Sequence, residues 1–293
     1  MSAAPSPLER FTAASQAVSA HVISTYSTSF GLATRLLGPR HRAHVRNIYA
    51  LVRVADEIVD GVAAEAGLDP SAQRRVLESY ISQTHEALRT GYSCDLIVHA
   101  FARTAREAGI DQSLTGPFFD SMLTDLHPSP MDGQAHSHYV YGSAEVIGLM
   151  CLRVFMRDES LSPAEAEQVE HGARQLGAAF QNINFLRDLS EDTHELGRSY
   201  LHPAPDGRLT QSMKAEWTRR IRSELDDAVV VLPLLPRDAR AAVRAALMLF
   251  EGLLRRIEQS TAEELYARRT RVPDTAKAWL TVRALGITWR ERI

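Results

Sequence analysis

Two aspartate pairs carry the chemistry this chain most directly points to. Asp56 and Asp60 stand four residues apart in Arg53-Val-Ala-Asp56-Glu57-Ile-Val-Asp60. Asp188 and Asp192 repeat that spacing about 130 residues later, in Gln181-Asn-Ile-Asn184-Phe-Leu-Arg187-Asp188-Leu-Ser-Glu-Asp192. On a helix, residues i and i+4 share a face, with Cβ atoms roughly 6 Å apart. Two such faces turned toward each other would make an oxygen-rich box suited to Mg²⁺ and a bound diphosphate. Mg²⁺ takes a few carboxylates and completes its octahedron with phosphate oxygens and water. With 16 aspartates in 293 residues, the spacing alone arises about once by chance.

The neighbours decide more than the spacing. Val45, Ile48, Leu51, Val52, Val54, Ile58 and Val59 make the first segment largely apolar, and Phe180, Ile183, Phe185, Leu186 and Leu189 do the same for the second. Gln181, Asn184, Asp188 and Asp192 step along one face of that second segment. Burying such groups unsatisfied costs several kcal/mol, so they must be paired, metal-bound or turned to a wet cavity. The plain alternative is two solvated acidic helix ends.

Arg53 and Arg187 sit beside the acids, where guanidinium groups could clamp a departing diphosphate in a bidentate way. They could equally form intrahelical pairs, Arg53 with Asp56 or Glu57, worth only tenths of a kcal/mol. Tyr26, Ser27, Thr28 and Ser29 cluster hydroxyls at a helix boundary, to donate to phosphate oxygens or simply to cap. Tyr49 shares the helix face of Arg53, Asp56 and Asp60. Tyr139-Val-Tyr141-Gly142-Ser-Ala-Glu-Val-Ile-Gly148 reads as a helix holding two glycines. Each costs about 1 kcal/mol against Ala, so a kink or a close approach by a ligand or a neighbouring helix is implied, ordinary core packing included. His136-x-His138 lacks a carboxylate or Cys partner nearby and reads as a loop edge. Asp120 and Asp125 fall five apart, off a common face. Arg268-Arg269-Thr-Arg271 could meet phosphate or anionic headgroups, or be a solvated connector.

These residues need helices to hold them, and periodicity reads as helix nearly everywhere. Helices are expected over about 9–24, 40–60, 71–89, 94–108, 113–126, 136–157, 163–190, 209–231, 237–265 and 273–289, broken by Gly and Pro between them. Ser162, Pro163 and Glu165 spell an N-cap, a first-turn proline and a capping box. There is no alternating strand pattern, no repeat and no long linker. A single all-α domain over 1–293 is expected, with its core at about 20–290.

Composition is that of an ordinary globular protein, 45% hydrophobic and 24% charged. A net charge of −3 argues against a nucleic-acid partner, which needs a basic footprint. Cys94 and Cys151 form no metal or redox pattern and fit a reducing compartment. The first residues lack the charged and apolar regions of a signal peptide. The longest apolar stretch, Val140 to Leu152, contains Glu145 and falls short of a membrane span. A soluble, cytoplasmic protein is expected.

Read in order, these pieces resemble the squalene/phytoene synthase family. The match runs through Tyr26-Ser-Thr-Ser-Phe30, Tyr49-Ala-Leu-Val-Arg53-Val-Ala-Asp56-Glu-Ile-Val-Asp60, Phe119-Asp-Ser-Met-Leu-Thr-Asp125-Leu, Tyr141-Gly142-Ser, the Gln181 to Asp192 block, and Gly197-Arg198-Ser-Tyr200-Leu201. It spans roughly 20–290, and the second acidic block is its most specific part. Within the family the chain looks most like bacterial phytoene synthases.

The resemblance implies an all-α isoprenoid-synthase bundle around a central cavity. It implies that Asp56, Asp60, Asn184, Asp188 and Asp192 hold Mg²⁺, with Mn²⁺ as a substitute. Tyr26, Ser27, Thr28, Ser29, Tyr49, Arg53, Gln181 and Arg187 would contact substrate, Tyr141 would lie beside the reacting carbons, and Arg198 and Tyr200 would belong to a flap. Glu57, where many relatives have a third Asp, leaves the i, i+4 pair intact. Ser121 and Leu123 stand where relatives often carry Gly and an acid, so Asp120 and Asp125 receive no role.

The implied reaction joins two geranylgeranyl diphosphates head to head through a cyclopropyl diphosphate to phytoene, in carotenoid biosynthesis, with no NADPH. The alternatives are a C30 synthase acting on farnesyl diphosphate and, more remotely, a non-catalytic assembly protein of the same fold. Gly31, Ala33 and Thr34 would leave a deep pocket for the longer chain. Peripheral membrane contact is expected of an insoluble product, although no segment clearly encodes it.

Overall fold

The computed structural model describes residues 4–127, 131–190, 200–201, 208–267, 269–270 and 273–291. Among these, all regular structure is helical. The first wall of the bundle is α1 (Pro7–Tyr26), α2 (Thr28–Arg35) and α3 (Pro39–Val59). A short α4 (Val62–Glu65) leads to α5 (Pro70–Thr90), α6 (Leu96–Ala108) and α7 (Gln112–Asp125). Then α8 (Gly133–Val140) runs through a π turn (Tyr141–Glu145) into α9 (Val146–Met156). The second wall is α10 (Pro163–Arg187), α11 (Gln211–Val230), α12 (Arg237–Gln259), α13 (Ala262–Ala267) and α14 (Asp274–Arg290).

The helix ends are written locally. The expected capping box at α10 is present: Ser162 Oγ accepts from the Glu165 N–H at 3.3 Å, and Glu165 accepts from the Ser162 N–H at 2.9 Å. A second box, Ser6 with Glu9, starts α1. Two departures from the expected helices bear on the second wall. α2 is only eight residues long and contains Gly31, too short to hold itself together in water; its packing on α12 supplies what propensity does not. The expected helix 237–265 is two helices, because Ser260 turns extended and its hydroxyl returns to the Arg256 carbonyl.

The apolar core lies in two clusters. Leu51, Leu77, Phe101, Phe118, Phe119 and Met150 pack the side built by α3 and α5 to α9, while Ile183, Leu186, Ile221, Leu225 and Leu254 pack the side built by α10 to α12. Each such side chain contributes about 1.5–3 kcal/mol on burial. The central α8–α9 rod, Gly133–Met156, is long and apolar enough to cross a bilayer by length and composition. Here it is a core helix, held by α3, α7 and α10.

That rod shows why Gly142 and Gly148 are glycines. A Cβ on Gly142 would strike the Pro117 carbonyl and Ser121 Oγ of α7, and one on Gly148 would strike the Ala173 carbonyl of α10. The sequence left a kink and a close approach open; both occur, as a π turn and as backbone-to-backbone packing. Widened turns of this kind are frequent at functional sites.

Candidate active site

Between the two walls lies a cavity of about 1260 Å³. Its chemistry changes along its length. One end is lined by Tyr26, Ser27, Thr28, Ser29, Tyr49, Arg53, Asp56 and Asp60 from α1–α3, and by Gln181, Asn184, Arg187 and Asp188 from α10. The rest is a well of Leu37, Val45, Ile48, Val52, Ile147, Leu152, Phe155, Leu176, Val231, Leu235, Leu249 and Leu253. The two acidic motifs therefore meet across one space. Asp192 and Arg198 lie outside the described residues.

Both described motifs sit at helix C-termini. Asp60 is the C-cap of α3, its N–H returning to the Asp56 carbonyl at 2.8 Å, and Asp188 is the C-cap of α10, its N–H returning to Asn184 at 2.8 Å. A helix C-terminus carries about half a negative charge, so carboxylates placed there deepen a potential that draws cations. Gly61 permits the exit from α3: its φ of 123° is open to glycine and strained for other residues.

Charge in this end is only partly balanced. Burial, and after it the charge of Asp60, pushes the Asp56 carboxyl well above the usual carboxylate range. Asn184 Oδ1 is buried and takes no hydrogen bond among the described residues, a cost a native site repays when a ligand arrives. These oxygens are hard donors of the kind Mg²⁺ prefers. Among the described residues no three His, Cys, Asp or Glu groups are close enough to hold a metal by themselves. A cation here would share Asp56, Asp60, Asn184 and Asp188 with oxygens of its substrate and with water.

The arginines make the local pairs the sequence allowed and also reach the cavity. Arg53 pairs with Glu57 one turn on, as an intrahelical partner, and also lies over the Tyr26 ring at 4.6 Å while lining the cavity. Arg187 chelates its neighbour Asp188, Nε to Oδ1 at 2.8 Å. A third arginine, Arg269, reaches the same carboxylate, Nε to Oδ1 at 2.8 Å. Of the Arg268–Arg271 cluster, read as a contact for phosphate or anionic headgroups or as a solvated connector, Arg269 lines the site, and Arg268 and Arg271 lie outside the described residues. Lys277, on α14, lines the cavity and donates to Thr28 Oγ1 at 2.8 Å. Ser27 is the cap the sequence allowed: it ends α1 and takes the Phe30 N–H at 3.1 Å to begin α2.

Tyr141, which the resemblance sets beside the reacting carbons, is half-buried against the core cluster of α3 and α5 to α9, with Arg174 over its ring at 5.3 Å, and is not among the residues that line this cavity. Tyr139, two residues earlier, lines the cavity and donates its hydroxyl to both oxygens of Asp125, at 3.0 and 2.8 Å. Tyr200 donates to Asp125 Oδ1 at 2.8 Å. Asp125 is 6% exposed, whereas Asp120 faces solvent. Burial, then the Asp125 charge, holds the Tyr139 phenol well above its ordinary value, so it stays a neutral donor. His136 is corrected: it is no loop edge but 1% exposed, with Nδ1 2.7 Å from the Tyr200 carbonyl and Nε2 3.2 Å from Asn182 Oδ1.

Below the charged end lies an aromatic cluster the sequence did not single out. Phe180 and Phe250 stack at 3.8 Å, and Phe30 lies 6.0 and 5.7 Å from them and 6.3 Å from Tyr49. The faces of aromatic rings attract cations. Cys151, the cysteine in this wall, has its thiol pushed up to about 12 by burial and stays protonated. Ala33 and Thr34 are both 4% exposed and line the well; Gly31, grouped with them above, does not. The arrangement can hold a diphosphate at one end, a long hydrocarbon at the other, and a carbocation between them out of water.

Comparison with known proteins agrees with this geometry. The squalene/phytoene synthase family model matches residues 23–276. The chain is 29% identical over 276 residues to phytoene synthase 3, chloroplastic, of Zea mays, covering 87% of this chain and 62% of that one. It is 31% identical over 255 residues to the chloroplastic phytoene synthase of Narcissus pseudonarcissus, covering 81% and 58%. It is 29% identical over 294 residues to the 15-cis-phytoene synthase of Synechocystis, covering 90% and 84%. The chain thus spans about three fifths of the length of the two plastid relatives. Among solved structures, a dehydrosqualene synthase in complex with ligand superposes with a TM-score of 0.77 at 20% identity, covering 96% of this chain and 98% of that one. Squalene synthase HpnC from Alicyclobacillus acidocaldarius follows at 0.71 and 17%, covering 87% and 96%. Both share the fold.

Proposed function

The chain belongs to the squalene/phytoene synthase family, and on that premise we propose that it is a phytoene synthase, joining two geranylgeranyl diphosphates head to head. The observation that carries this reading is the cavity's gradient, from Asp56, Asp60, Asn184 and Asp188 at two helix C-termini, past the Phe30–Phe180–Phe250 cluster, to an apolar well. The curated relatives at 29–31% identity are named phytoene synthases.

Asp56, Asp60, Asn184 and Asp188 would hold Mg²⁺ together with oxygens of the substrate, and the ion would supply charge neutralisation of the leaving group. The protein does the rest. Arg53, Arg187 and Arg269 offer guanidinium groups to the departing diphosphate, whose growing charge rewards donors already in place. The ring faces of Phe30, Phe180 and Phe250 stabilise the allylic cation left behind. The well excludes water that would trap that cation as an alcohol. Attack by the second chain's double bond, with loss of one proton, forms the cyclopropyl diphosphate, and a second ionisation, rearrangement and loss of a second proton complete the C40 hydrocarbon. Two diphosphates and two protons leave, and no reductant is consumed.

The test is incubation of purified protein with Mg²⁺ and either C15 or C20 diphosphate, with and without NADPH, followed by product mass. A C40 hydrocarbon formed from C20 substrate without NADPH is the expected result. C30 product alone would replace the chain-length assignment with a C30 synthase, and no turnover of either substrate would favour a non-catalytic role. Chelation of the metal, or Asp56→Ala, should abolish turnover while circular dichroism stays helical; activity surviving both would refute the metal assignment.

A further inference from the structure

The outer face of α14 is apolar where a helix on the outside of a bundle should be polar. Its inner face is already satisfied. Leu280, Thr281 and Ala284 are buried, Leu280 meets Gly252 of α12, and Arg244 of α12 donates to Thr288 Oγ1 and to Glu291, both at 2.6 Å. On the opposite side Trp279, Val282, Leu285 and Trp289 are 59%, 67%, 43% and 62% exposed. Steps of three and four residues keep them on one stripe. Isolated exposed apolar residues are ordinary, but a contiguous stripe with two tryptophans marks a contact surface.

The surrounding charge indicates the partner. Residues 268–293 hold seven basic and two acidic side chains, in a chain whose net charge is −3. Arg283 lies over the Trp279 ring at 5.4 Å, and Arg290 follows Trp289. Tryptophan at headgroup level, with arginine beside it, is the chemistry of the membrane–water interface. A second copy docked by a twofold axis would instead set this basic patch against itself. The helix that carries the stripe also reaches the cavity: Pro273 and Lys277, at its start and on its inner side, line it beside Thr28.

We propose that the outer face of α14 is a docking surface for an anionic lipid bilayer, with Trp279 and Trp289 seated among the headgroups and Arg283 and Arg290 on their phosphates. The lipid contact stands on this face alone; its use, passing long hydrocarbon chains between bilayer and cavity, rests on the proposed function.

Sedimentation of the whole protein with phosphatidylcholine vesicles, with and without phosphatidylglycerol, tests it. Binding to the anionic vesicles, weakened by salt, is expected. Trp279→Ser with Trp289→Ser should lower partitioning by roughly tenfold or more, and Arg283→Glu should lower it on anionic vesicles alone. A blue shift in emission should accompany binding and vanish in the double variant, because the third tryptophan, Trp217, is fixed 4.8 Å from the His136 ring. Failure of the unaltered protein to bind anionic vesicles would overturn the proposal, as would equal binding by the double variant. A lipid-free dimer broken by the same substitutions would assign the face to a second copy. Turnover in detergent separates the two readings: a protein that binds vesicles but converts no prenyl diphosphate would sink the function and leave the lipid contact standing.

Discussion

Nε of Arg269 stands 2.8 Å from Oδ1 of Asp188, the carboxylate that ends α10. Asp188 is therefore held by two guanidinium groups, Arg187 from its own helix and Arg269 from the connection between α13 and α14. If a metal-bound diphosphate engaged this carboxylate, as the proposed function requires, both guanidinium groups would be freed to meet the diphosphate. Hydrogen bonds to charged groups are worth about 1.5–3 kcal/mol, so Arg269→Ala should lower kcat/KM roughly 10- to 100-fold. Steady-state kinetics with the C20 diphosphate checks this; an unchanged kcat/KM would return Arg269 to the role of a surface ion pair.

Asp125 gathers two phenols, Tyr139 from α8 and Tyr200 from beyond the second acidic motif. An amide in its place offers one acceptor oxygen where the carboxylate offers two. Asp125→Asn should lower the melting temperature and slow turnover about tenfold or more through misplacement of Tyr139. Tyr141→Phe, outside the cavity, should leave turnover within a factor of about two of the unaltered enzyme. If Tyr141→Phe proved the more damaging of the two, the placement of these tyrosines relative to the reacting chain would be wrong.

Thr34 lines the well and is 4% exposed. A ring at this position would project into the cavity rather than into packed core, shortening the space for hydrocarbon without the overpacking cost of about 1–3 kcal/mol seen in filled cores. Thr34→Phe should shift product from C40 toward C30 when both substrates are supplied, with little loss of melting temperature. Product mass from a mixed-substrate assay decides; an unchanged C40 fraction would place the length limit elsewhere.

Asp238, at the start of α12, takes two hydrogen bonds from Arg40, Nε at 2.8 Å and Nη2 at 3.1 Å. The Arg40 guanidinium holds its carboxyl below the usual carboxylate range. A group whose folded pKa is depressed contributes stability that is fully present above its unfolded value, near 3.8, and is lost as pH falls through the folded one. Asp238→Asn should therefore lower the melting temperature at pH 7, and the gap should close as the pH drops below about 4. Melting curves across that range test the sign; a gap that widened in acid would contradict it.

Much of the fold and half of the site are legible along the chain. The helices follow from apolar periodicity and from caps such as Ser162 with Glu165, and the two aspartate motifs stand out because amides, arginine and apolar neighbours accompany them. The rest is hidden for physical reasons. Tyr139 and Tyr141 differ by two residues, nearly opposite faces of a regular helix, and a π turn from Tyr141 to Glu145 re-aims that face. Asp125 looks solitary in the sequence because both its donors come from other elements, and Arg269 looks solvated because its partner lies on another helix.

What the sequence by itself determined is the material: an all-α chain with two carboxylate motifs at the ends of apolar helices. Periodicity, capping and i, i+4 spacing act over a few residues, so they can be read along a line. What only the tertiary structure decided is the company: Arg187 and Arg269 on one carboxylate, Phe30 beside Phe180 and Phe250, Tyr139 on Asp125 and Tyr141 under Arg174. Those depend on which faces meet, and helix packing sets that through glycine contacts such as Gly142 on Pro117 and Gly148 on Ala173, which no local pattern encodes.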